Sequence, residues 1–178
     1  MQEIDNLIDA LAHCVPLLDP QPLRAQRPPG SAQLDVLHWL ADQLGQQGLV
    51  VYEEWKEYFG GVPALRPLAG LDLSACNVNF VIDLMQDVDW SQASIDPSML
   101  QYELPFLEHI NSALKPHGLR LVDLLPFENA YILCVKDDEA ALGELDRCLQ
   151  AFDMRINPRE ALDDEGARAH IDALLAGG

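Results

Sequence analysis

The chain has 178 residues, the length of one domain, and 11 Lys plus Arg stand against 29 Asp plus Glu for a formal net charge of −18. Hydrophobic residues make up 49% and charged ones only 22%, so there is material for a core and the composition is not that of a disordered acidic chain. A field of this sign repels nucleic acid and anionic membrane surfaces and attracts basic partners.

Ile4, Leu7, Ile8, Leu11, Cys14, Val15 and Leu18 recur at helical spacing and predict a first helix over 3–18, ended or kinked by Pro16. The proline-rich DPQPLRAQRPPGS reads as a loop, with Arg24 and Arg27 among the few bases of the chain. Ser31 is the expected N-cap of a second helix carrying Leu34, Leu37, Leu40 and Leu44, closed by Gly48. LVVYEEW (49–55) predicts a strand, and GGVPALRPLAG a turn with at most a short helix. In NVNFVIDLM (77–85), Val78, Phe80, Ile82 and Leu84 alternate with Asn77, Asn79, Val81 and Asp83, which predicts a second strand. QDVDWSQASIDPS reads as an acidic loop.

A third helix is expected from Pro97 or Ser98 to Leu114, kinked or started afresh at Pro105. LRLVDLL (119–125) and AYILCVK (130–136), joined by PFEN, read as a β-hairpin. Asp137 should cap the helix DDEAALGELDRCLQAF, MRIN (154–157) is a last short strand, and a final helix runs over 159–175. Together these elements predict a single α+β domain with a mostly antiparallel sheet of four to five strands. Its expected parts are an N-terminal helical pair (1–48), an α/β core (49–157) and a C-terminal helix (158–178).

Glu3, Asp5 and Asp9 stand where a signal peptide would carry positive charge, and no run of about 18 apolar residues could span a membrane. The expected compartment is the cytoplasm. Cys14, Cys76, Cys134 and Cys148 are scattered with no CxxC pair, as expected of reduced structural thiols.

No motif for nucleophilic catalysis or phosphate binding is present: GxSxG, GxGxxG and a GK[ST] ending are all missing. Asp83, Asp87 and Asp89 cluster as hard-cation ligands do, but without the alternating ligands, glycine and glutamate of an EF-hand. His13, His38, His109, His117 and His170 show no pair at zinc-ligand spacing. The expectation is a chain without a catalytic residue, a metal or another cofactor.

The most distinctive feature is a gap. Between Arg66 and Lys115 there is no lysine or arginine, while Asp72, Asp83, Asp87, Asp89, Asp96, Glu103 and Glu108 all fall inside. Carboxylates without counter-charges repel one another unless something outside the chain neutralises them. YEEWKEYFGG adds Tyr52, Trp55, Tyr58 and Phe59 among acids, a mixture that either caps a core or forms a binding hot spot. The expected partner contacts are Asp83, Asp87, Asp89, Trp90 and Asp96, with Glu53, Glu54 and Trp55 second.

WKEYF after the first strand, HGLRLVDL with its hairpin into NAYILCV, and the closing helix resemble an uncharacterised bacterial domain family of unknown function. The resemblance spans residues 49–157. Several members look like small acidic proteins encoded near toxins or secretion loci. The family defines no catalytic residues, so the resemblance implies only a small bacterial α+β domain with toxin immunity as one role. The leading expectation is therefore a non-enzymatic acidic binding protein, most concretely an immunity protein that neutralises a basic toxin domain. A small metal-assisted enzyme and a regulatory or scaffold domain are the alternatives, and an exposed Trp90 is equally compatible with a homodimer.

Overall fold

The computed structural model describes residues 2–76, 79–86 and 88–176. Four strands form one antiparallel sheet in the order β1-β3-β2-β4: β1 (Val50–Glu53), β2 (Leu119–Leu125), β3 (Ala130–Lys136) and β4 (Arg155–Asn157). The β2–β3 hairpin is central, with Leu121 opposite Cys134 and Val122 opposite Leu133. Side chains alternate along a strand, so these two strands feed two different cores.

Val122, Leu124, Leu133 and Val135 face α1 (Gln2–Cys14), α3 (Gln33–Gly45) and α7 (Glu139–Gln150). Leu121, Ala130, Ile132 and Cys134 face the other way, towards α6 (Phe106–Leu114) and α8 (Asp164–Ala176). The α+β expectation holds, and the sheet is covered by helices on both sides. The helices of residues 1–48 are one wall of the first core.

Several local expectations are corrected. Within the proline-rich segment, α2 (Gln21–Ala25) forms because Pro22 sits in its first turn and Leu23 is fully buried. Arg24 and Arg27 fasten it to α1 through Asp9 (2.5 Å) and Asp5 (2.7 Å). Ala32, not Ser31, occupies the N-cap of α3, without a side-chain bond. That helix stops at Gly45, and Gly48 takes the left-handed conformation (φ 69°) in the turn into β1.

The expected strand over 77–85 is a short helix, α4 (Phe80–Leu84); Asn77 and Val78 lie outside the described residues. Phe80 and Val81 point into the second core, with Phe80 stacked on His109 at 4.3 Å. Neighbouring residues that bury together suit a helix and not a strand, whose neighbours part to opposite faces.

The third helix breaks at Pro105, where a kink or fresh start was expected, into α5 (Pro97–Glu103) and α6. The residue before a proline is driven out of helical geometry, and Leu104 before Pro105 is extended (ψ 132°). Asp138, not Asp137, caps α7, accepting from the Ala140 and Ala141 amides; Asp137 is held by Arg120 at 2.5 Å. The last helix begins at Asp164, five residues later than expected, because Arg159 is drawn out of helical geometry to an ionic cluster.

Candidate functional site

The aromatic segment after β1 folds into a turn that opens at Glu54, whose carbonyl accepts from the amides of Glu57 (2.8 Å) and Tyr58 (3.0 Å). Tyr58 is buried, and its hydroxyl donates to the Gly61 carbonyl at 2.7 Å. Burial and nearby Glu53 push the Tyr58 phenol well above its ordinary pKa, so it stays a neutral donor. Its ring meets the edges of Trp55 and Phe106, each at 5.8 Å. Gly60 passes so close to Phe106 that a Cβ would lie 2.3 Å from the ring, and its φ is +76°. Only glycine meets both demands.

Trp55 is fixed from behind. The Arg159 guanidinium lies over its ring at 5.0 Å. The same guanidinium donates to Asp123 Oδ1 at 2.7 Å and to Glu108 Oε1 at 3.0 Å, so one side chain joins the indole to β2 and α6. The Asp123 side chain is only 4% exposed, and burial of an ionised carboxylate is tolerable here because the partner is bidentate and charged. Glu108 Oε2 is buried with no hydrogen-bond partner among the described residues.

In front of this support lies an apolar pocket of about 260 Å³. Trp55, Tyr58 and Phe59 of the turn form one wall, Ile82 and Met85 of the α4 region another, and Leu104 and Phe106 at the α5–α6 break the third. Lys56 is the one base on its lining. Phe59 is 70% exposed and Ile82 38%, both large apolar side chains held open to solvent at the pocket.

Among the described residues, no carboxylate from Asp72 to Glu103 takes part in an ion pair. Six arginines pair elsewhere, with Asp5, Asp9, Asp123, Asp137 and Asp146 among others. Three of the acids find serine instead. In Asp72–Ser74, Asp89–Ser91 and Asp96–Ser98, the carboxylate accepts from both the amide and the hydroxyl of the serine two residues on. These donors satisfy the oxygens and leave the negative charge in place. They also hold the Asp72 and Asp96 carboxyls below the usual carboxylate range.

Of the expected contacts, Trp55 is a half-buried wall of the pocket; exposed Glu54 opens the turn that carries it, and exposed Asp83 follows Ile82 on α4 without being among the walls. Glu53 sits on β1 opposite Ala130, half-buried. Asp89, Trp90 and Asp96 are not among the pocket's walls. Trp90 is 40% exposed, Asp89 holds its own turn, and Asp96 caps α5. Their loop is tied to the end of α8, where the Ser94 amide donates to the Leu175 carbonyl at 3.1 Å. Asp87 lies outside the described residues.

Ile82, Met85, Leu104 and Phe106 escaped sequence reasoning. Reading 77–85 as a strand put Ile82 on the same face as Phe80, and the third helix, though expected to kink or start afresh at Pro105, did not mark Leu104 and Phe106 as the wall of a pocket. The pre-proline position of Leu104 was the available signal.

Among the described residues, no three His, Cys, Asp or Glu side chains are grouped to hold a metal ion, and no helix is long and apolar enough to cross a membrane. Burial pushes the Cys14 thiol up to about 11 and Cys134 to about 12, which makes both poor nucleophiles. The described surface carries a preformed apolar recess, walled in part by Ile82 and Met85 of the base-free segment. No family model, curated protein or solved structure matches the chain.

Proposed function

We propose that the chain is a non-enzymatic cytoplasmic binding protein whose acidic, aromatic-edged surface docks a basic protein, in the manner of an immunity protein covering a toxin. The observation that carries this reading is the set of carboxylates from Asp72 to Glu103, without ion pairs among the described residues, in a segment whose Ile82 and Met85 wall an open apolar pocket. A toxin that acts on an anionic substrate presents basic residues, and an acidic surface matches them while the apolar recess supplies affinity. Such complementarity also speeds association, which an inhibitor protecting its own cell needs.

The test is the association rate with the protein encoded by the neighbouring gene, followed from about 50 to 500 mM NaCl. At low salt, Asp83→Lys with Asp89→Lys is expected to slow association by roughly tenfold or more and to flatten its salt dependence. Inhibition of the partner's activity should weaken in step. Unchanged association in the double variant, or no association of the wild-type chain, would sink the reading.

A further inference from the structure

Resting on that reading, we infer that the pocket walled by Trp55, Phe59, Ile82 and Leu104 receives a single aromatic or long aliphatic side chain of the partner, presented beside lysine or arginine. Its size is the first argument. At about 260 Å³ it lies below the roughly 300–1,000 Å³ of pockets that enclose drug-sized molecules, and it matches one large side chain.

Rigidity is the second. Trp55 is clamped by Arg159, Tyr58 by the Gly61 carbonyl, and Phe106 by the close passage of Gly60. A recess already shaped before binding costs little ordering, which is the property of hot-spot pockets. The third argument is charge. Glu54, Glu57 and Asp83 are exposed neighbours in sequence of the wall residues, and Lys56 is the one base on the lining. A partner segment carrying only apolar residues would leave those carboxylates unanswered. One with a cation next to its anchor satisfies both parts of the site, and an acidic segment is repelled.

The experiment uses two fluorescein-labelled, amidated peptides of lysine and alanine, one with a central tryptophan and the other with alanine at that place. Binding to the full chain is read by anisotropy at low and moderate salt. The tryptophan peptide is expected to bind at least about tenfold more tightly. Phe59→Ser and Ile82→Ser should abolish that difference while leaving the alanine peptide's affinity unchanged. Both replace exposed side chains, and an unaltered melting temperature will confirm that the fold survives.

Equal affinity of the two peptides for the wild-type chain, or a preference that persists in both serine variants, overturns the pocket assignment and leaves the acidic docking surface standing. If neither peptide binds in a salt-dependent way, the docking surface falls too. Lys56→Glu provides an independent check, because adding a carboxylate at the rim should tighten both peptides and a loss of affinity would count against the assignment.

Discussion

Arg159 does more than any other single side chain to join the sheet, α6 and the turn after β1. It sits at φ 45°, a conformation that L residues adopt at a cost, and the ionic contacts with Asp123 and Glu108 hold it there. Its removal leaves Asp123 buried without a counter-charge, which is worse than losing the attraction alone. Arg159→Met is expected to destabilise the protein by about 3–5 kcal/mol in urea unfolding, and Asp123→Leu in the same chain should recover part of that loss. If the single variant unfolds at the wild-type midpoint, the cluster is not holding the fold. None of this network was visible in the sequence. Asp123, Glu108 and Arg159 are 15 to 51 positions apart, and the pairing of β2 with β4, Asp123 opposite Asn157, and the seating of α6 on β2 through Asn111 bring them together.

At the scale of elements, legibility followed the length and regularity of the pattern. The β2–β3 hairpin and α7 were readable because seven-residue strands and a twelve-residue amphipathic helix repeat their signal several times. A five-residue run such as Phe80–Leu84 repeats it once, and alternation on paper did not reveal that Phe80 and Val81 share a core. At Asp137–Asp138 either residue could cap, and the choice fell to Asp138 once Arg120 engaged Asp137. The pocket was half legible for the same reason: YEEWKEYF announced its aromatic wall, whereas Ile82 came from a misread element and the break expected at Pro105 did not say what Leu104 would face.

The cap of α5 carries a pH prediction. Asp96 accepts from the Ser98 amide and hydroxyl, which lowers its folded-state pKa below the ordinary 3.8. A depressed carboxyl stabilises the fold above its unfolded pKa, and that contribution disappears as pH falls through the folded value. Loosening of α5 is therefore expected only below about pH 3.8, seen as a shift of the Ser98 amide resonance. In Asp96→Asn that titration should be absent; its persistence would mean that another group controls the cap.

For the whole molecule, −18 describes an uneven distribution: six arginines are committed to ion pairs at the N-terminal helices, the sheet and α7, and the segment from Asp72 to Glu103 is left with its acids. Two effects of salt compete. Screening weakens exposed pairs such as Arg147–Glu144, and it relieves repulsion among the unpaired carboxylates. With this excess of acid the second effect should win. The melting temperature is expected to rise by roughly 2–4 °C, equivalent to about 1 kcal/mol, between low and moderate NaCl. A flat or falling melting curve midpoint would show that the pairs matter more.

The two-sided sheet gives Asp123 one further consequence. Because β2 and β3 are apolar on both faces, hydrophobicity alone sets their register only weakly: a one-residue slip would simply exchange the contents of the two cores. It would also swing Asp123 towards α1, α3 and α7, away from Arg159, and strand a charge in a dry layer. The carboxylate is thus a key cut for one alignment of the hairpin, penalising every odd shift that the surrounding leucines and valines would accept.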